Sequence, residues 1–540
     1  MLPSEPDRIR RALNRLTFGA RDTDVSNVNA IGLGTWLAKQ LAPPPGDDPG
    51  LTNHIAKQLM AIEYAAPSVT DTRGMWSAAK ENRPLYYLFT DTPTLWSVAV
   101  EAGATYAPAE RTRIRQELIA ATFIRNAHSS YQLREFMTDF WLNHFNIGKV
   151  ENEIATAMLP MFDAQAIRPH VFGNFRQMLE ATATSSSMLI YLDNWVSTAA
   201  TPNENYAREI MELHTLGATS YFGKDPSSAT GYSIGADGTA NGYTDQDVIE
   251  ASRALSGWTL RNGQRNAGRL VSSTGEFFFN PGQHNTTAAK VLNIAIGSPK
   301  SDMDQGRRFL DIIAYHPKTG ARIVGKLVRH IFGDAPPITV TARGVAAWNA
   351  NLTAPDQLKK VIEAIVLGGE EILSTPSAKV RRPYERLIAL ARTTDTIINA
   401  HTTLTTLLDS LNDGPWAWQG PDGRPDNDDY WLASGAVLTT WNLLLALPGA
   451  AYVSASLTAQ TPENVLNTAM GVVDHWVGRM VGHNLAPSRM TALYNDQGGT
   501  AGVPAARRSS TNPTTVATST ETALRRLVGM IAGTVEFTYR

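Results

Sequence analysis

Cysteine is absent from all 540 residues. That excludes disulfides, zinc–thiolate and iron–sulfur sites and a cysteine nucleophile, and it leaves the redox compartment open. An excess of one charge is also missing: 48 Lys and Arg face 50 Asp and Glu, for a net charge of −2. Nucleic-acid binders neutralise phosphates with a clustered basic excess. The basic runs here, Lys379-Val380-Arg381-Arg382 and Arg507-Arg508, are short and read as solvated faces, so no nucleic-acid partner is expected. No apolar run approaches the ~18 residues that signal a membrane span. The opening MLPSEPDRIRRALNRLTFGA has charges throughout and lacks the apolar stretch of a signal peptide.

What is present is core material. Hydrophobic residues make up 43% of the chain, with 12 Trp, 16 Tyr and 16 Phe, an ordinary globular composition with large side chains for an interior or a pocket. Length alone suggests about three domains. Three- and four-residue apolar spacing nevertheless dominates throughout, and the chain reads as one large all-α unit over 1–540 with at most a minor β element. Helices are expected near 8–16, 31–41, 52–66, 93–102, 109–145, 168–183, 205–216, 245–255, 303–313, 317–333, 343–350, 355–367, 377–398, 430–447, 462–482 and 517–533. Long loops fall at 219–242, 261–300 and 413–429, with a short strand at 276–279. In the C-terminal helical region 446–540, the Gly/Ser/Thr/Pro-rich stretch 497–518 reads as a flexible surface segment.

Two tracts concentrate polar chemistry. In 134–145 (REFMTDFWLNHF), Glu135, Asp139 and Asn143 share one helical face, and His144 follows Met137, Phe140 and Trp141 on the apolar side. Such a histidine is either a core residue with one hydrogen-bonded nitrogen or a site group on a rigid wall. In 203–217 (NENYAREIMELHTLG), Asn205, Glu209 and Glu212 lie on a common face and His214 lies near Ile210 and Met211. Glu204 and Arg208 have the spacing of an i,i+4 ion pair. Paired carboxylates on one wall can serve as general acid and base, or give oxygens to a metal. The alternative is a satisfied structural network with no ligand.

Other signals are weaker. No H-E-x-x-H occurs, and Glu209-x-x-Glu212 lacks the Glu-x-x-His spacing of di-iron bundles. The Asp-rich loop 422–429 lacks EF-hand spacing. Gly231-Tyr232-Ser233-Ile234-Gly235 matches a nucleophile-elbow pattern, but both flanks read as loop where a strand and a helix are required. His284 lies in a loop, where a histidine is less readily core. His316 precedes a helix and reads as its cap.

Taken together the tracts RRALNRLTFGA, LREFMTDFWLNHFNI, NENYAREIMELHTLG, GYTDQDVIEASRALSGW, FFFNPGQHN, HPKTGARIVGKLVRHIFGD and PWAWQGPDGRPDNDDYWLASGAVLTTW resemble the domain-of-unknown-function 1800 family over about residues 8–445. The resemblance implies a predominantly helical bacterial protein, often exported and often encoded beside a sulfatase-like protein. It carries no established reaction and no catalytic residues. Many relatives read His-Asp where this chain has His284-Asn285, which removes a carboxylate from any site built there.

The expected architecture is therefore a helical unit with long loops over a central cleft on which 135–144, 203–217, 243–258 and the His284 loop converge. Helices buried on most faces have little use for Glu, Asn, His and Arg unless those groups satisfy one another or face a pocket. The leading reading is a hydrolase-like enzyme with Glu209 or Glu212 as acid and base and His144, His214 or His284 assisting. Arg208, Asn143, Asn205, Trp141 and Trp258 would hold substrate, and the aromatic residues Trp195, Trp258, Trp416 and Trp418 suit a glycan or aromatic small molecule. The alternatives are a non-catalytic binding or assembly protein working with a genomic neighbour, and a metal- or cofactor-dependent redox enzyme. The sequence requires no cofactor, and localisation stays open.

Overall fold

Periodic burial sets the architecture. The computed structural model describes residues 2–72, 74–148, 153–224, 229–266, 269–297, 303–376, 379–499 and 513–540. The chain is 58% helical and 9% strand. The helix Pro317–Phe332 illustrates why: Ile323, Val324, Leu327, Val328 and Ile331 recur at three- and four-residue steps and all are buried. Pro317 takes the first position, where no N–H partner is needed. His316 caps the helix as expected, accepting the Lys318 N–H at 3.2 Å. The helix Asp245–Leu255 starts as expected with a capping box between Thr244 and Asp247.

Several expectations need correction; the helix expected over 377–398 spans only Pro383–Thr393 and is followed by a strand, Ile397–Ile398, and the loop expected over 261–300 contains the strands Ala289–Val291 and Ile294–Gly297. The helix expected over 109–145 is two, Pro108–His128 and Gln132–His144. Between them the Gln132 side chain donates to the Asn126 and Ser129 carbonyls and stabilises the turn. The helix expected over 52–66 stops early: Pro49–Ala56 is helical, but Leu59–Tyr64 is a strand paired antiparallel with Ala79–Pro84. Met60 and Ile62 are buried while Leu59, Ala61 and Glu63 are exposed, a period of two. The basic run at Lys379 is not solvated. Lys379, Arg381 and Arg382 are all buried: Lys379 and Arg382 pair with carboxylates, and Arg381 donates to the Phe537 and Tyr539 carbonyls.

The expected strand lies within Ser273–Phe279, which pairs with Trp258–Asn262 so that Trp258 sits opposite Phe279. Every sheet among the described residues is a two-stranded antiparallel pair. Buried apolar side chains form one connected cluster running from Ala12 to Phe537. Among the described residues no helix is long and apolar enough to cross a membrane. Most of the segment expected to be flexible, 497–518, lies outside the described residues, as does Arg507-Arg508.

Candidate functional site

Two helices and a π-helical turn bring together groups far apart in sequence. His144 ends the helix Gln132–His144 and is 1% exposed. Its Nε2 lies 3.0 Å from the backbone carbonyl of His214. A carbonyl only accepts, so Nε2 carries the proton and Nδ1 offers a lone pair. Lys326 Nζ, on the helix Pro317–Phe332, donates to that lone pair at 3.1 Å. His214 ends the π-helical turn Ile210–His214; its ring is buried, 6.2 Å from the His144 ring, and its Nε2 has no hydrogen-bond partner.

Unpaired positive charge dominates this corner. Lys326 has no carboxylate within ion-pair distance among the described residues. Burial, then Arg322, pulls its ammonium down to about 7 against the opposing influence of Asp426 and Asp422. His144 is held well below the usual imidazole range by burial and then Lys326, and burial and Arg322 bring His214 to about 3. Arg322 sits one turn before Lys326 and donates to the Leu213 carbonyl at 2.6 Å. Gly217, at φ 93°, makes that approach feasible: a Cβ there would lie 2.8 Å from Arg322 Cδ.

Lys326 opens into a cavity of about 320 Å³. Its base is a paired ionic network. Arg382 joins Asp139 at 2.6 Å and Asp413 at 2.7 Å, while Arg424 joins Asp139 at 2.9 Å. Asn143, His330, Asp422 and Asp426 complete the polar lining, and Phe140 the apolar. Asn143 holds the loop over the cavity, its Oδ1 accepting the Arg424 backbone N–H at 2.7 Å. Gly423, at φ 78°, passes so close that a Cβ would meet the Asn143 carbonyl at 2.3 Å.

The two glutamates are not among the residues lining this cavity, and Glu209 is coupled to it electrostatically through Asp422 on its wall. Glu209 and Glu212 are half-buried. Burial, then Glu212 and also Asp422, raise the Glu209 carboxyl above its ordinary range, with Arg208 opposing. Asp422 thus acts electrostatically on both Glu209 and Lys326. Glu212 receives a long contact from Tyr243 Oη, 3.4 Å, and lies within electrostatic reach of Arg322.

His144, His214, Glu209, Glu212 and Asn143 therefore fall in one neighbourhood, and the rest stand apart from it. Arg208 does not pair with Glu204 as its spacing suggested; it reaches Asp245 at 3.1 Å across the Tyr221 ring. The next helix offers the better-placed carboxylate. Asn205 is exposed. Trp141 and Trp258 are 1% and 0% exposed and belong to the core, as does Trp416. Trp195 and Trp418 are half-buried. His284 is buried against Ser256, with Nδ1 2.7 Å from the Ser256 carbonyl. Ser233 is exposed in a loop, its backbone exchanging hydrogen bonds with Asn241. Among the described residues no three His, Asp or Glu side chains are arranged to hold a metal ion.

Lys326, Arg322, Asp426 and Tyr243 were missed as site groups. The sequence did hold one hint for the first two. Arg322 and Lys326 are like charges at i,i+4 on an otherwise amphipathic helix, an arrangement that costs stability unless something uses it.

A family model described as "protein of unknown function (DUF1800)" matches residues 11–539. No curated protein and no solved structure matches the chain.

Proposed function

This chain belongs to the DUF1800 family of proteins of unknown function, and from that premise we propose that it is a hydrolase-like enzyme acting by acid–base chemistry on a small polar substrate such as a glycan. One observation carries the reading: Lys326 Nζ stands 3.1 Å from His144 Nδ1 at the wall of a polar cavity, with no carboxylate within ion-pair distance among the described residues. An amine that donates one N–H to His144 keeps its lone pair for a proton from water, and an ammonium poised near neutrality suits a general base. Glu209, holding its proton to higher pH than an ordinary carboxyl, is the complementary acid. Arg322 keeps the Lys326 site electropositive, which favours the neutral amine and the developing oxyanion. Asp422, on the cavity wall, presents a carboxylate of the kind that binds hydroxyl groups.

The test is a screen of chromogenic glycosides and esters with the intact chain, followed by Lys326→Met and Glu209→Gln on any substrate turned over. Loss of turnover by about 100-fold or more in each, with unchanged circular dichroism, is the expected result. A pH–rate limb near 7 that disappears in Lys326→Met would identify the base. Turnover that persists in both variants refutes the reading.

A further inference from the structure

A second cavity, larger and lined by other residues, lies at the opposite end of the Gln132–His144 helix. It encloses about 920 Å³ between the chain at 41–47 and the π-helical turn Phe162–Ile167. That volume is near the upper end of ordinary small-molecule sites.

Three guanidiniums line it. Arg125 joins Asp47 at 2.9 Å. Arg134, 4% exposed, donates to Glu135 at 3.0 Å and to the Pro44 and Gly46 carbonyls. Arg168 reaches Glu135 at 2.9 Å and Asp163 at 2.8 Å. Three carboxylates face these three guanidiniums, and the unpartnered donors outnumber the unpartnered acceptors. Glu135 gives one oxygen to each of two arginines, yet Arg134 Nη2 and Arg168 Nη2 remain buried with no hydrogen-bond partner. Arg134 Nη2 lies 3.7 Å from Asp47 Oδ1, beyond hydrogen-bond reach. Against these two donors stands one unpartnered acceptor, Asp163 Oδ1. Burial pushes the Asp47 carboxyl up, but Arg125, Arg168 and Arg134 together hold it below its ordinary range. This is a setting that already stabilises a carboxylate.

The remaining walls are apolar. Pro43, Pro44, Leu88, Phe89 and Phe172 form a trough beside the guanidiniums, and Phe89 is 68% exposed. Buried donors without acceptors cost free energy that an oxyanion would recover. An apolar body along the prolines and phenylalanines would remove exposed aromatic surface from water.

We propose that this cavity binds an organic anion, its charged oxygens on Arg134 and Arg168 and its hydrocarbon or aromatic body in the Pro43–Phe89–Phe172 trough. The site is separate from the Lys326 cavity, and the inference stands whether or not that cavity is catalytic.

Titration calorimetry on the intact chain with octanoate, 4-phenylbutyrate and the uncharged control octanol tests it. The expected result is saturable 1:1 binding of at least one acid, about tenfold tighter than octanol, with an affinity that falls as salt rises. Arg134→Met should abolish the preference for the acid. Because Arg134 also ties down Glu135 and the 44–46 turn, a second variant is needed: Ala164→Trp, at an exposed lining position, fills the cavity and should abolish binding of the acid and octanol alike. No saturable binding of either acid overturns the proposal, as does equal affinity for octanoate and octanol, or undiminished binding in Ala164→Trp.

Discussion

Arg382 and Lys326 border the same cavity and are treated oppositely by their surroundings. Arg382 sits between Asp139, Asp413 and Glu385, at 2.6, 2.7 and 3.3 Å. Arg424 and Arg540 extend the network: Arg540 reaches Glu385 at 3.4 Å and stacks over Phe136. Every charge there has an opposite charge within reach. Lys326 has an imidazole nitrogen at 3.1 Å and a second cation one turn away. Buried ions are retained for structure when they are paired, because breaking a pair strands its partner. An unpaired cation held beside a cavity has no such structural justification. The first region explains why the loop 413–427 stays in place; the second marks where chemistry is to be sought.

The two regions should respond differently to the same kind of substitution. Arg382→Met strands Asp413 and takes one of two cations from Asp139 and from Glu385, and should cost about 3–5 kcal/mol, measured by urea unfolding. A cost below about 1 kcal/mol would mean that the network is not the structural element its pairing suggests.

Acid should act next most strongly, and through the unpaired region. His214 titrates near 3 in the folded chain against 6.5 unfolded. The unfolded chain therefore binds more protons between those values, and stability is lost as pH falls below 6.5. In His214→Gln the loss of stability across that window should shrink. An identical acid profile in the variant would show that His214 is not held neutral by folding.

Lys326→Met should be neutral or stabilising at pH 7, by up to about 2 kcal/mol. The sign follows from linkage. Folding lowers the Lys326 pKa from 10.5 to about 7, so between those values the unfolded chain binds more protons and stability rises with pH. The advantage of Lys326→Met should therefore be greatest at and below neutrality and fade toward pH 10.5. Clear destabilisation at pH 7 would erase the contrast with Arg382.

Asn143→Ala gives the smallest effect, about 1 kcal/mol, because it removes only the neutral amide that accepts from the Arg424 N–H and Nε and donates to the Arg424 carbonyl. It sharpens the comparison by loosening the loop while leaving both cations in place. Reaction of Lys326 with an acylating reagent, located by mass spectrometry, should become faster.

Helices were legible where one face is apolar at helical spacing, as in Pro317–Phe332 and Asp245–Leu255, whose caps were equally legible. The strand Leu59–Tyr64 was not, because LMAIEY satisfies a helical spacing about as well as an alternating one, and its partner strand lies beyond a connection of 14 residues with no strand signal. The site was legible in part. His144, His214, Glu209 and Glu212 stood out because histidines and carboxylates are rare within apolar helices. Lys326 was illegible because a lysine on an amphipathic helix reads as its solvent face, and the partner that reveals its role lies 182 residues away. The buried Lys379 run was misread for the same reason: its carboxylates come from other segments.

The π-helical turn Phe162–Ile167 lines the larger cavity, and the π-helical turn Ile210–His214 sets His214 beside His144. Such a turn accommodates one more residue than an α-turn, so each is in effect an insertion stored inside a helix. Deleting a single residue from either would let the helix relax, but it would swing the remaining side chains by about 100°. His214 would leave its place beside His144, and Asp163 would leave Arg168. Length in this protein is thus tightly constrained at two internal points, while a surface hairpin such as the one following Asn262 can gain or lose residues at little cost.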